Sequence, residues 1–236
     1  MNILSITWRN SWNSCFESPI SVFDKICYAN DISQNEFHKF FKGEINPNYS
    51  HPLINQLDYQ KIQEAITDQQ LLIHFQSTIY RLSHIFKSGI ESPQMYFSKG
   101  LYQCSTCSLY GYHSLLFQSK FVDRCPFHNV PLTNHCKRCG SQLMYKYYKG
   151  NSITQCCQNC FEPILYHSEV YPNYAIYTEQ QISTNNVLYL IFQLNEKEIN
   201  RLQNIQLEGI KYVEKSNLDF LLYLVRELIG SVNNFV

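Results

Sequence analysis

The sequence predicts a mainly α-helical protein wrapped around a cysteine-rich centre, and three observations predict it. Apolar residues recur at helical spacing on both sides of that centre. Within it, Cys104, Cys107, Cys125 and His128 are followed by Cys136, Cys139, Cys157 and Cys160, the same spacing shifted by 32 residues. Charge is divided in the same way: residues 1–100 carry 8 basic and 9 acidic groups, 101–160 carry 6 and 1, and 161–236 carry 5 and 9. The expected division is therefore an N-terminal helical, helix-turn-helix-like domain over 1–100, a tandem metal-binding region over 101–165 and a C-terminal helical segment over 166–236.

The first helix is expected after Ser18-Pro19, an N-cap followed by proline at the first helical position. Ile20, Phe23, Ile26 and Cys27 give it one apolar face running to about Ala29. Asp31 to Ser33 makes a turn, and Ser33 with Glu36 fits a capping box that starts a second helix. Phe37, Phe40 and Phe41 supply its apolar face, and Gly43 is its expected stop. Two short helices around a four-residue turn are compatible with a helix-turn-helix unit. Gln34, Asn35, His38, Lys39 and Lys42 are then its exposed polar candidates for contacting nucleic acid. Pro47 and Pro52 mark a loop, Asp58 can cap a helix through Ile66, and another is expected from about Asp68. Leu71, Leu72, Phe75, Ile79, Leu82 and Phe86 would form its core face.

In the centre, two cysteines enclosing two residues can form a tight turn that aims both sulfurs at one point, and a second pair closes a tetrahedral site around zinc. The tandem frame predicts one site from Cys104, Cys107, Cys125 and His128, and another from Cys136, Cys139, Cys157 and Cys160. Each frame encloses 17 residues, enough for a short hairpin or loop. Cys156 lies beside Cys157, and only Cys157 keeps the register. Four protein ligands leave no place for water, so both zinc ions are expected to be structural, stabilising small β or knuckle modules. Residues 1–8 lack the basic start and apolar run of a secretory signal, and a reducing cytoplasm, where such cysteines bind metal, is the expected compartment.

These residues also carry a family resemblance. Cys104-Ser-Thr-Cys107, Tyr110-Gly-Tyr112, Phe117, Cys125-Pro-Phe-His128, Val130-Pro-Leu132 and Cys136-Lys-Arg-Cys139-Gly140 together resemble the TniQ/TnsD family of transposition target-selection proteins. Ser105 stands where that family commonly has proline, and Phe117 where it commonly has tryptophan. Neither change removes a ligand. The resemblance implies an adaptor that bridges target DNA, directly or through a target-recognition complex that can be RNA-guided, to an AAA+ ATPase regulator and a transposase. Long members continue into further DNA-binding helices, whereas this sequence ends 76 residues after Cys160. Recognition of the target with a partner's help is the corresponding expectation.

Net charge is zero and 44% of residues are hydrophobic, with no apolar run long enough to span a bilayer. Seven thiolates and two zinc ions would leave the centre at about +2 by formal count. That is a small footprint for a protein holding DNA alone. Lys120, Arg124, Lys137 and Arg138, with Lys146 and Lys149, are its candidate nucleic-acid contacts. Past the centre, Val187, Leu188, Leu190, Ile191 and Leu194 predict one helix. Leu218 to Ile229, capped by Ser216, predict a terminal one that packs inward or forms a docking or homodimer surface. No nucleophile or acid–base constellation stands out, and the reading is a binding protein rather than an enzyme. A sequence-specific transcriptional regulator with structural zinc is the alternative.

Overall fold

A pair of buried ions on one helix fixes how this chain is put together. Helix α1, Pro19–Asn30, is capped by Ser18, whose side chain accepts from the Ser21 N–H, and ends at Asp31 in the left-handed region at φ 51°. The computed structural model describes residues 6–44, 53–54, 56–83, 97–184 and 187–201. Every residue from Pro19 to Cys27 is buried, so α1 is covered all round rather than on one apolar face. Burial obliges its two charges to find partners. Lys25 pairs with buried Glu17 at 2.6 Å, donates to the Trp12 carbonyl at 2.8 Å and lies over the Tyr174 ring. Asp24 pairs with His167 at 2.7 Å and accepts from Gln34 Nε2 and the Gln155 N–H. Desolvation pushes the Lys25 ammonium down, opposed by Glu17, and pushes the Asp24 carboxyl up, opposed by His167. These contacts tie α1 to segments more than a hundred residues away.

Helix α2, Gln34–Phe41, carries the expected capping box between Ser33 and Glu36. It stops one residue before Lys42, where Gly43 N–H turns to the Gln56 carbonyl and Asp58 N–H to that of Phe41. Helix α3, Tyr59–Ile66, has Asp58 as its N-cap and Thr67 in the left-handed region as its stop. Helix α4, Leu71–Ser83, begins three residues after the expected Asp68, whose carboxylate instead accepts from the Gln70 N–H and Asn13 Nδ2. Phe86 and the loop prolines Pro47 and Pro52 lie outside the described residues, as does the terminal helix expected at 216–229.

Phe23, Phe37, Tyr59 and Phe75 form an aromatic chain across these four helices, with centroids 5.3 to 6.1 Å apart. Each such ring, once buried, contributes about 1.5–3 kcal/mol. Tyr147, from the cysteine-rich centre, joins them at 5.7 Å from Phe37. The core of α1–α4 therefore also holds Leu143, Tyr145, Cys136 and Cys157. A second core gathers Phe16, Tyr112, Phe117, Cys104, Cys107 and Cys125 with Tyr177, Ile182, and Leu188 and Ile191. The last two belong to a helix over Val187–Gln193, followed by helical residues 196–201.

The molecule is mainly helical. Among the described residues, β pairing is confined to isolated bridges. No helix among them is long and apolar enough to cross a membrane.

Candidate metal centres

Three of the four residue pairs of the centre, Cys125 with His128, Cys136 with Cys139 and Cys157 with Cys160, fold alike. In each, the first ligand's N–H donates to the carbonyl five residues on: Cys125 to Val130, Cys136 to Ser141 and Cys157 to Glu162, all at 2.8 Å. The same ligand's carbonyl accepts from the residue four on, Asn129, Gly140 or Phe161. Those three residues take positive φ of 54°, 72° and 60°, which reverses the chain directly after the second ligand. A bridge then closes each turn, Arg124 with Pro131, His135 with Gln142 and Cys156 with Pro163. Glycine adopts this conformation freely, whereas for Phe161 it costs about 1–2 kcal/mol.

The Cys104–Cys107 pair is different. Ser108, the residue after Cys107, is helical rather than left-handed, and the pair lies in the short helix Ser105–Leu109, with Cys104 as N-cap accepting from the Cys107 N–H. Ser108 can extend a helical turn that Gly140 and Asn129 break.

These turns bring the eight expected ligands into two clusters, Cys104, Cys107, Cys125 and His128 in one and Cys136, Cys139, Cys157 and Cys160 in the other. In each, all ligand atoms lie within 4.8 Å of one another, and both clusters can hold a metal ion. His128 Nδ1 is 3.6, 3.3 and 3.5 Å from the sulfurs of Cys104, Cys107 and Cys125. Sulfur pairs lie at 3.7 Å in the first cluster and at 3.5 and 3.6 Å in the second. A tetrahedron with metal–sulfur bonds of about 2.3 Å has edges of about 3.8 Å, and about 3.5 Å from sulfur to nitrogen. The donors thus stand where the corners of such a site belong. All the cysteines are free thiols, so no disulfide competes for this arrangement.

The thiols of the first cluster act strongly on one another. Hydrogen bonding by Cys107 and Cys125 pulls the Cys104 thiol down to about 2, while burial pushes Cys107 up. The hydrogen bond with Cys104 likewise pushes Cys125 up to about 12. Protons hold these sulfurs apart in charge, and a dication would let all of them ionise together. Cys156 stays out of the second cluster, its sulfur turned to Ser152 Oγ and the Thr154 carbonyl. Neighbours on an extended segment face opposite ways, so only one of Cys156 and Cys157 can enter.

Around the ligands lie residues that spacing did not reveal. Tyr177 OH sits 3.4 Å from His128 Nε2, the nitrogen turned away from the cluster, and so fixes the ring's orientation. Ser141 Oγ lies 3.0 Å from the Cys139 sulfur and 3.2 Å from that of Cys157. A hydroxyl two residues after a cysteine was a visible signal, whereas nothing local marks Tyr177.

The expected nucleic-acid residues divide. Gln34 and His38 are buried, at 1% and 7% exposure, which corrects their expected place on an open face. Gln34 is drawn inward by Asp24, the Ile153 carbonyl and Gln155, and His38 lies beside the Tyr147 ring. Asn35 is half-buried and bonds Asn151, while Lys39 and Lys42 are exposed. Lys120 and Arg124 are exposed by the first frame, Arg124 donating to Asn129. Lys137 and Arg138 face Glu162 at 3.9 and 3.7 Å beside the second. No family model and no curated protein matches the chain.

Proposed function

We propose that both clusters bind zinc as structural ions and that the chain is a non-enzymatic adaptor in DNA transposition. It selects or marks the target site, linking target DNA or a target-recognition complex, RNA-guided or otherwise, to the AAA+ ATPase regulator and the transposase. The observation that carries this reading is the doubled four-ligand frame, set within the Cys-Pro-Phe-His, Pro-Leu and Cys-Lys-Arg-Cys-Gly phrases that resemble the TniQ/TnsD family. Sulfur-rich tetrahedral donors suit zinc, and four of them per site leave no coordination position for a substrate. Three zinc knuckles and one helical pair then serve as scaffolding, with α1 and α2 as a helix-turn-helix-like unit. Free thiols suit a reducing cytoplasm.

A regulator reading the major groove with α2 would need the N-terminal end of that helix open to base edges. Instead, Ser152 and Gly150 carbonyls accept from the Gln34 and Asn35 N–H groups. This favours the adaptor over the regulator. Mapping insertions in cells with and without the gene tests the proposal. Deletion is expected to redistribute insertions or abolish those at the preferred site, and unchanged positions and frequencies would end it.

A further inference from the structure

The loop over 149–153 does more than close α2. Gln34 N–H donates to Ser152 and Asn35 N–H to Gly150, each at 2.9 Å, and Asn35 Nδ2 donates to Asn151 Oδ1 at 2.9 Å. Lys149 is thereby held beside a helix from which it is separated by more than a hundred residues of sequence. On that helix, Asn35, His38 and Lys39 recur at the spacing of a single face, and Lys42 follows as the C-cap. The His38 ring is 6.2 Å from that of Tyr147, two residues before Lys149. Burial, and then the charges of Lys149 and Lys42, hold the His38 imidazole below its ordinary value, as expected if both ammonium groups are near it.

Lys39, Lys42 and Lys149 are exposed, and none has an ion-pair partner among the described residues. The nearest acid on α2, Glu36, bonds the Ser33 hydroxyl and N–H in the capping box. Lysines are mobile point charges without the planar fork that reads a guanine edge. They suit phosphates, which position a duplex without specifying its sequence. We infer that Lys39, Lys42 and Lys149 form one phosphate-binding surface for the backbone of a DNA duplex, built jointly by α2 and the metal-region loop. This rests on the nucleic-acid contact in the proposed function and changes how that contact is made, because α2 binds with its C-terminal half and its N-terminal end is sealed.

The full zinc-loaded chain would be titrated by fluorescence anisotropy, over a salt series, against two DNA duplexes of unrelated sequence, an RNA duplex and anionic vesicles. Both DNA sequences should bind alike. K39E/K42E and K149E should each weaken DNA binding by about fivefold or more, and flatten the logarithmic salt dependence by about 1 for each phosphate that is no longer neutralised. Lys197→Glu, the same charge change on the exposed face of 196–201, should stay within about twofold of the parent. All substituted side chains are exposed, so circular dichroism and metal content should not change. A K149E titration indistinguishable from that of K197E would overturn the joint surface, as would marked preference for one DNA sequence. Stronger binding to RNA or to vesicles, abolished in the same variants, would replace DNA as its ligand. Insertion mapping separates the two claims. Redistribution on gene deletion with normal duplex binding by the variants sinks the surface and leaves the adaptor standing, and the opposite pair of results does the reverse.

Discussion

The two candidate metal clusters share one residue spacing and stand in different surroundings. In the first, Cys104, Cys107 and Cys125 are fully buried, and Tyr177 closes over His128 while packing on Phe127 at 4.6 Å and Tyr112 at 4.5 Å. In the second, Cys136 and Cys157 reach into the core of α1–α4, but Cys139 is exposed and Phe161, at the tip of the last turn, is 76% exposed. Ligand spacing is written within a few residues, so copying a segment copies the site. Its surroundings are supplied from far along the chain, by Tyr177 and the helix after it in one case and by α1–α4 in the other. A duplicated motif has become one enclosed site and one with an open side.

The largest effect separates the two by stability. Metal binding to small structural sites contributes on the order of 10 kcal/mol, comparable with a domain's entire net stability of about 5–15 kcal/mol. Cys107→Ser is expected to lose one of two metal ions and to deprotect amides in 101–132 and 174–194, which share the core around Tyr177. Cys157→Ser is expected to lose the other ion and to deprotect 136–163 together with the Gln34 and Asn35 amides, whose acceptors are on that loop. Cys156→Ser should keep both ions. Hydrogen exchange with metal analysis checks all three, and the same exchange pattern for Cys107→Ser and Cys157→Ser would break the comparison.

A smaller effect belongs to a histidine set between the two cores, against Phe117 of one and Tyr145 of the other. His113 is fully buried between Ser18 Oγ and the Tyr102 carbonyl, and desolvation lowers it from 6.5 to about 4. A depressed folded-state value means that the unfolded chain takes up the proton first. Stability from this residue is present above pH 6.5 and is lost as pH falls toward 4, by about 3 kcal/mol at about 1.4 kcal/mol per unit. His113→Gln should remove that part of the acid slope in urea titrations at pH 7, 5.5 and 4. An unchanged slope would show that His113 is not held neutral.

What was legible in the sequence was local. The helix starts at Ser18-Pro19, Ser33 with Glu36, and Asp58 were readable because a cap and its partner lie within three residues. The eight residues of the two clusters were readable from spacings equally short, and the 32-residue register separated Cys157 from Cys156. Burial of Gln34 and His38 was not readable, since the loop that covers α2 lies at 149–153. Nor could spacing show that Cys104–Cys107 opens a helix, although Ser108, standing where the other frames have Asn129, Gly140 or Phe161, was the available clue. Nothing local marks Asp24 with His167 or Glu17 with Lys25 as buried pairs, because the segment carrying His167 and Tyr174 comes to them from more than a hundred residues away.

The smallest predicted effect tests the asymmetry itself. A chelator attacks a bound ion through whichever ligand it can reach, so exchange depends on exposure as well as affinity. Cys139 offers such an approach and the sulfurs of the first cluster do not. Metal release to a coloured chelator should therefore be biphasic with equal amplitudes, the fast phase coming from the second cluster. A tenfold difference in rate requires only about 1.4 kcal/mol between barriers, well within what a closing aromatic lid can contribute. Cys157→Ser should abolish the fast phase and leave the slow one. Tyr177→Ala, which strips the cover from His128 while leaving all ligands in place, should accelerate the slow phase toward the fast one. A single phase in the parent protein, or a slow phase indifferent to Tyr177→Ala, would show that the two sites differ in appearance and not in protection.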